Sequence, residues 1–294
     1  ERTGVQRDDS LRRQRGTPGN RNHRSAGRKS GEIDMKLTLF DSHAHLDVPE
    51  FDEDRDELLD RLTKECDISY VVNPGVDLET SSNAVKLAQK YPWIYAAVGF
   101  YPQKTDKLDE DTFFLLEGLA KKDKVVAIGE IGLDYYWKTV PHDVQQYWFR
   151  RQIQLAVKLG KPIAIHDREA HGDVMRILKE EKAFENTRVL MHCYSGSAEM
   201  ARQYLTMGCY FSIAGPVTYK NAKKAPEIIA AIPLDHMCIE TDAPYLTPMP
   251  FRGRRNDPSY VRYTAMKIAE LKGISLEEVA RATCETAKRF YGIE

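Results

Sequence analysis

Eight times along this chain a short apolar run gives way to a polar stretch long enough to hold a helix. No other feature limits the fold so tightly. The runs fall at 37–41, 68–73, 94–99, 125–130, 162–166, 188–192, 209–213 and 237–242. Within 81–91, Ala84, Leu87 and Ala88 stand at i, i+3 and i+4, the spacing of a helical stripe. The segment 144–159 repeats that pattern until Gly160 stops it in the manner of a C-cap. A further amphipathic stretch covers 258–272, and Ser275 with Glu278 three residues on reads as a capping box opening a last helix. Regular alternation of this kind requires parallel strands joined by helical crossovers. Eight such units within 35–294 match the roughly 250 residues of a (β/α)8 barrel. A doubly wound open sheet is the alternative, but no GxGxxG follows the first strand. The expected fold is α/β, a single (β/α)8 TIM barrel spanning 35–294.

The first 34 residues do not share the rhythm. They hold no aromatic residue, and their apolar side chains (Val5, Leu11, Ala26, Ile33) stand apart. Such a segment cannot bury enough surface to offset its ordering entropy. It lacks the apolar core of a secretory signal. Because Met35 is followed at once by the strand-like Leu37-Thr38-Leu39-Phe40, residues 1–34 read as a disordered extension, added to or translated upstream of the domain. A basic nucleic-acid arm and a transit peptide are lesser readings. Nine basic residues against five acidic give this segment +4, so the net charge of −1 leaves −5 on 35–294. A mildly acidic body does not hold nucleic acid mainly through a broad basic face, so phosphate would be met by local arginines, backbone amides or metal ions. No apolar run nears the roughly 18–20 residues that cross a bilayer, so a membrane is not an expected partner. The five cysteines are scattered, without a CxxC pair, which suits a reducing cytosol. Nothing resembles a heptad seam. A cytoplasmic monomer is expected.

Ionisable residues close the apolar runs. The first ends in Asp41-Ser42-His43-Ala44-His45, where positions 43 and 45 put both imidazoles on one face of an extended chain. Glu130, His166, His192 and Asp242 end the fourth, fifth, sixth and eighth runs. In a barrel all these ends converge on the face where catalysis occurs. A lone histidine at a strand end is more often hydrogen-bonded than ligating, but chance does not place four histidines and two carboxylates at one end of five strands. Six such donors exceed a single closed structural site. They suit two divalent ions, Zn²⁺, Mn²⁺, Co²⁺ or Mg²⁺, that activate a water. His142 and His236 fall in polar connections and read as solvated.

The segments DSHAHLD at 41–47, GEIGLDY at 129–135, HDREAHGDV at 166–174, HCYSGS at 192–197 and ETDAPYLTP at 240–248 resemble the signature segments of the TatD family of metal-dependent deoxyribonucleases. RGRRNDP at 252–258 and TCETAKRFYGI at 283–293 extend the resemblance to the C-terminal helix, so that it covers 35–294 in order. The resemblance implies that His43, His45 and Asp242 hold one metal and that His166 and His192 hold a second. It also implies that Glu130 bridges them and that Asp242 shuttles the proton of the attacking water. Two departures stand out: Tyr101 occupies a position where the family has a histidine, and Thr286 one where it has asparagine. A tyrosine carries protons poorly near neutral pH, its reference pKa being about 10.

Substrate contacts are expected from Arg168, two residues past His166, and from Arg252, Arg254 and Arg255 after the last strand. The alternative for Arg168 is an ion pair with Glu169 or Asp173, and for the arginine cluster a solvated charge run. Tyr135, Tyr136 and Trp137 follow Glu130 closely enough to stack an unpaired base or simply to pack a loop. Cys193 has no separate activating base and reads as a packing residue. The function implied is metal-dependent hydrolysis of DNA phosphodiesters, 3′ to 5′ on single strands. The same chemistry would also serve a small amide, lactone or phosphoester. A binding protein with a vestigial site fits poorly with six donors retained.

Overall fold

A computed structural model describes residues 37–294, so the extension expected over 1–34 lies outside the described residues. The eight strands are β1 (Leu39–Asp41), β2 (Ile68–Pro74), β3 (Ile94–Val98), β4 (Val125–Asp134), β5 (Ile163–Arg168), β6 (Val189–Met191), β7 (Tyr210–Ile213) and β8 (Met237–Ile239). They pair in parallel in sequence order. The cylinder closes just beyond the formal strand ends. Ser42 N donates to the Ile239 carbonyl at 3.0 Å, Ala44 bridges Ala243, and Asp242 N donates to the His43 carbonyl at 2.9 Å. The structure is a (β/α)8 barrel, and the open-sheet alternative falls with this closure.

The helices are α1 (Arg55–Glu65), α2 (Leu78–Lys90), α3 (Glu110–Ala120), α4 (His142–Leu159), α5 (His171–Glu180), α6 (Ala183–Asn186), α7 (Ala198–Leu205), α8 (Ala225–Ala231), α9 (Val261–Lys272) and α10 (Leu276–Tyr291). Gly160 caps α4 at φ +63° as its position implied. At α10 only half of the expected capping box forms, the Ser275 side chain accepting from Glu278 N. The reciprocal box is at α2. There the Asp77 side chain accepts from Thr80 N, and the Thr80 hydroxyl accepts from Asp77 N. Thr286 is buried and donates to the Leu234 carbonyl. Among the described residues, no helix is long and apolar enough to cross a membrane.

Alternation along the strands divides the core into two. Leu39, Val71, Ala96, Ile128, Ile163 and Met191 belong to a cluster with the surrounding helices. Phe40, Val72, Ala97, Ala127, Ala164, Leu190 and Cys238 belong to a second cluster. Strand neighbours face opposite sides, and residues from around the whole sheet can meet only inside the barrel. Ala97, Ala127 and Ala164 leave space there, which is completed by Phe290 and Tyr291 from the end of α10 and by Ile293 just beyond it.

Candidate active site

The strand ends deliver their polar residues to one place. His43 and His45 lie just past β1, and their Nε2 atoms are 3.3 Å apart. His43 is fixed by the backbone closure described above, and His45 by a 3.2 Å contact from Nδ1 to the Pro74 carbonyl. Asp242 follows β8 in the left-handed region at φ +56°, a conformation that costs of order 1–3 kcal/mol and collects at functional sites. Its Oδ1 sits 3.5 Å from His45 Nε2 and 3.7 Å from His43 Nε2.

Glu130 lies between two groups of histidines. Its Oε2 is 3.5 Å from His43 Nε2 and 3.7 Å from His45 Nε2. Its Oε1 is 2.9 Å from His166 Nδ1 and 3.7 Å from His192 Nε2. The approach of β4 to β5 requires glycine at 132. Gly132 has φ +141°, and a Cβ there would stand 2.0 Å from the His166 carbonyl oxygen.

All six side chains therefore converge, and their electrostatics favour a cation. Burial would raise the Glu130 pKa, but hydrogen bonds from His166 and His43 outweigh it and hold the carboxyl ionised. Asp242 is held low in the same way, burial being overcome by His45 and the other imidazoles. At His43, burial and the His192 ring stacked 3.7 Å away lower the pKa and keep the imidazole neutral, as a ligand must be. Burial disfavours charge on His192 as well, but Glu240, Glu130 and Asp242 push its pKa up to about 10, a sign of surplus negative charge.

The donor geometry fits a divalent ion. The five separations among His43 Nε2, His45 Nε2, Glu130 Oε2 and Asp242 Oδ1 given above run from 3.3 to 3.7 Å. A tetrahedral ion with bonds of ~2.0–2.1 Å has ligand–ligand edges of about 3.3–3.4 Å. Glu130, His166 and His192 form a second group close enough to share an ion, and His43, His192 and Glu240 a third.

Sequence reasoning missed three buried residues beside this cluster, Asp134, Ser212 and Glu240. His166 Nε2 is 3.0 Å from Asp134 Oδ2, and the Tyr101 hydroxyl donates to that oxygen at 2.6 Å. His192 Nδ1 is 3.0 Å from Glu240 Oε1, off the line of a straight hydrogen bond, and neither atom has another partner. The Ser212 hydroxyl donates to Glu240 Oε2 at 2.5 Å. The signal for Asp134 and Glu240 was present: each is a carboxylate directly continuing an apolar run, within the same motifs as Glu130 and Asp242. His171, unremarked in the sequence, lies with Nδ1 2.8 Å from Asp167 Oδ2.

A cavity of about 1120 Å³ opens over the cluster, with His45, Glu130, His166, His192 and Asp242 on its floor. Arg168 and Trp137 form part of its wall, and the guanidinium of Arg168 lies 3.8 Å over the Tyr136 ring. Arg168 pairs with neither Glu169 nor Asp173, and Asp173 instead accepts from Arg176 at 2.8 Å. Lys223 and Lys224, exposed on the β7–α8 connection, stand on the same wall.

Other residues expected to meet the substrate lie outside the cavity lining. Tyr135 does not present its ring to the cavity, because its hydroxyl donates to Asp173 at 2.7 Å and its ring stacks on His142 at 3.6 Å. That stacking also gives exposed His142 a packing role. His236 is half-buried, with Nδ1 2.9 Å from the Cys209 carbonyl. Arg255 is committed to Asp54 through two bonds of 2.8 and 2.6 Å. Arg252 lies over Tyr219 and Arg254 over Phe251, and none of the three arginines lines the cavity. Cys193 does line it, but burial raises its thiol pKa well above the ordinary value, so it stays protonated.

Comparison with known proteins agrees with this architecture. The family model of TatD related DNase matches residues 40–292. The chain is 48% identical over 255 residues to the metal-dependent hydrolase YabD of Bacillus subtilis, covering 87% of this chain and 99% of the relative. It is 37% identical over 262 residues to the metal-dependent hydrolase TatD of Mycobacterium tuberculosis, covering 87% and 98%. The crystal structure of YJJV, a TatD homolog from Escherichia coli, superposes with a TM-score of 0.83 at 28% identity, covering 88% of this chain and all of that one. The chain belongs to the TatD-related DNase family and is one of its metal-dependent hydrolases.

Proposed function

We propose that this protein hydrolyses the phosphodiester bonds of DNA, shortening single strands from the 3′ end, as a monomer in the cytosol. The carrying observation is the convergence of six nitrogen and oxygen donors, five of them on the floor of a cavity larger than the ~300–1,000 Å³ usual for small ligands. His43, His45 and Asp242 would hold one divalent ion, His166 and His192 another, and Glu130 would contribute one oxygen to each. Such ions, of Mg²⁺, Mn²⁺, Zn²⁺ or Co²⁺, supply an acidified water and neutralise charge on a phosphate.

The chain's own side chains do the rest. Asp242, on the cavity floor with its carboxyl held ionised, takes the proton of the water whose oxygen bonds to phosphorus as the leaving nucleotide's phosphorus–oxygen bond breaks. Arg168 meets the phosphate and, held against Tyr136, keeps its planar donors facing the cavity. Trp137, half exposed on the same wall, offers a stacking face to an unpaired base. Lys223 and Lys224 would attract the continuing strand. The five cysteines are free thiols, which suits a reducing compartment.

The test is metal-stripped protein on 3′- and 5′-labelled single-stranded DNA, with each metal added back in turn. Metal-restored shortening of the 5′-labelled strand from its far end supports the reading. No cleavage with any metal overturns it and favours the second reading, a small amide, lactone or phosphoester, for which Ile213, Val217 and Ile228 supply an apolar cavity wall.

A further inference from the structure

We infer that Asp134 and Glu240 are positioning residues that give the Glu130–His166–His192 half of the site the charge and rigidity that Asp242 supplies directly to the other half. The inference rests on the two-ion reading above. Counted by donors, the halves are unequal. His43, His45 and Asp242 form a group with a carboxylate of its own, whereas His166 and His192 have only an oxygen of the shared Glu130. Their remote nitrogens differ in the opposite sense. That of His166 faces the carboxylate of Asp134, and that of His192 the carboxylate of Glu240, each at 3.0 Å. The remote nitrogen of His45 faces only the Pro74 carbonyl, at 3.2 Å, and Glu240, although close to both His43 and His192, makes its 3.0 Å ion-pair contact with His192.

Both supporting carboxylates are fully buried, and each is tied by a hydroxyl, Tyr101 to Asp134 and Ser212 to Glu240. Asp134 Oδ1 also accepts from the backbone N–H groups of Tyr136 and Trp137, at 3.0 and 3.2 Å. With an ion bound in place of the His166–Glu130 hydrogen bond, a carboxylate in this position would keep the proton on the remote ring nitrogen and leave His166 Nδ1 and His192 Nε2 as free lone pairs. It also raises the basicity of that lone pair, and loss of such a partner costs about 10–100-fold in metal affinity. A carbonyl fixes the proton but adds no charge. Tyr101 therefore acts by holding Asp134, and its ring meets the His166 ring edge-on with centroids 4.8 Å apart.

The test is calorimetric titration of metal-free full-length protein with Mn²⁺, with bound metal counted after dialysis. Wild type is expected to take up two equivalents. Asp134→Asn and Glu240→Gln should each weaken the same binding event about 10–100-fold and leave the other unchanged. His45→Ala should weaken the other event. Tyr101→Phe and Ser212→Ala, which remove one hydroxyl without removing a buried charge, should shift the Asp134- and Glu240-dependent event in the same direction by a smaller factor. Equal weakening of both events by Asp134→Asn and Glu240→Gln, or of neither, overturns the inference while leaving two-ion binding intact. A single equivalent in wild type overturns the two-ion reading and this inference with it. Neither result depends on whether DNA is the substrate.

Discussion

The two ends of the barrel interior are built from the same strands and filled in opposite ways. At the closed end, Phe290, Tyr291 and Ile293 of the last helix and tail pack against Phe40, Val72, Ala97 and Leu190. Each large side chain buried there contributes about 1.5–3 kcal/mol. At the mouth, Asp41, Asp134, Glu130 and Glu240 are buried carboxylates. Taking each from water costs several kcal/mol unless partners satisfy it. Asp41 accepts from the backbone N–H groups of Thr241 and His43 and from the Thr241 hydroxyl, but burial still pushes its pKa up to about 8, so the negative charge at neutral pH comes from the others. Asp134 has four donors or imidazole contacts, whereas Glu130 and Glu240 face mainly imidazoles. One end stabilises the fold, and the other spends part of that stability to concentrate negative charge where a cation can bind.

Substitutions at the two ends should therefore separate activity from stability. The largest effect is expected from Asp242→Asn, which keeps the size of the side chain and tolerates φ +56°. Turnover of labelled single-stranded DNA should fall by at least about a hundredfold, the range for loss of a general base. Metal-free stability should fall, but by less than for Phe290→Ala, because the imidazoles that hold the Asp242 pKa down lose a charged partner while the side-chain volume is kept. Activity within tenfold of wild type would remove Asp242 from the mechanism. Phe290→Ala should do the reverse, costing about 3–5 kcal/mol by denaturant unfolding with kcat unchanged wherever the protein is still folded. A Phe290→Ala protein of normal stability and lost activity would break the comparison.

The mouth was more legible in the sequence than the closed end. Glu130, His166, His192 and Asp242 stand out as charged residues terminating apolar runs, a pattern that needs only local information. The closed end depends on where α10 returns. Phe290 and Tyr291 look like ordinary positions on an amphipathic helix until barrel closure brings Tyr291 to the Ser42 carbonyl, 249 residues away in sequence. Within the mouth, the same limit hides which neighbours of the ligand set line the cavity. Tyr135 lies five residues past Glu130 and Arg168 two past His166, but only the packing of α4 and α5 turns Tyr135 toward Asp173 and leaves Arg168 at the cavity. Strand alternation could have placed Arg168 beside His166. It could not distinguish a ligand from the carboxylate behind one, which is why Asp134 and Glu240 escaped notice.

A smaller effect is expected from Arg168→Ala, which sharpens the comparison within the mouth itself. A hydrogen-bonded charge on phosphate is worth about 1.5–3 kcal/mol, so KM should rise roughly 10–100-fold with kcat changed far less. Lys is not an adequate replacement, since it cannot stack flat on Tyr136 while presenting a planar fork. An unchanged KM would leave Arg168 as loop packing only.

The smallest effect is expected from Arg255→Ala, which tests whether proximity to the mouth is enough for a role in binding. Arg255 lies three residues beyond Arg252 but is bound to Asp54, and both side chains remain more than a third exposed. Its removal should leave KM for DNA unchanged and cost about 0–1 kcal/mol, less at high salt, as for other exposed ion pairs. The pH dependence fixes the sign. The Arg255 hydrogen bond holds the Asp54 pKa below its ordinary value, against a smaller opposing effect of burial. The folded state thus releases this proton more readily than the unfolded state, and the stabilisation is present above the unfolded carboxyl pKa of about 3.9. It is lost as pH falls through the lower folded value, so denaturation curves of Arg255→Ala and wild type should differ slightly at pH 7 and converge once the folded carboxyl is protonated. A difference that persists in acid would assign the effect to the packing of Arg255 over Phe51, 4.7 Å from its ring centre, instead of to charge.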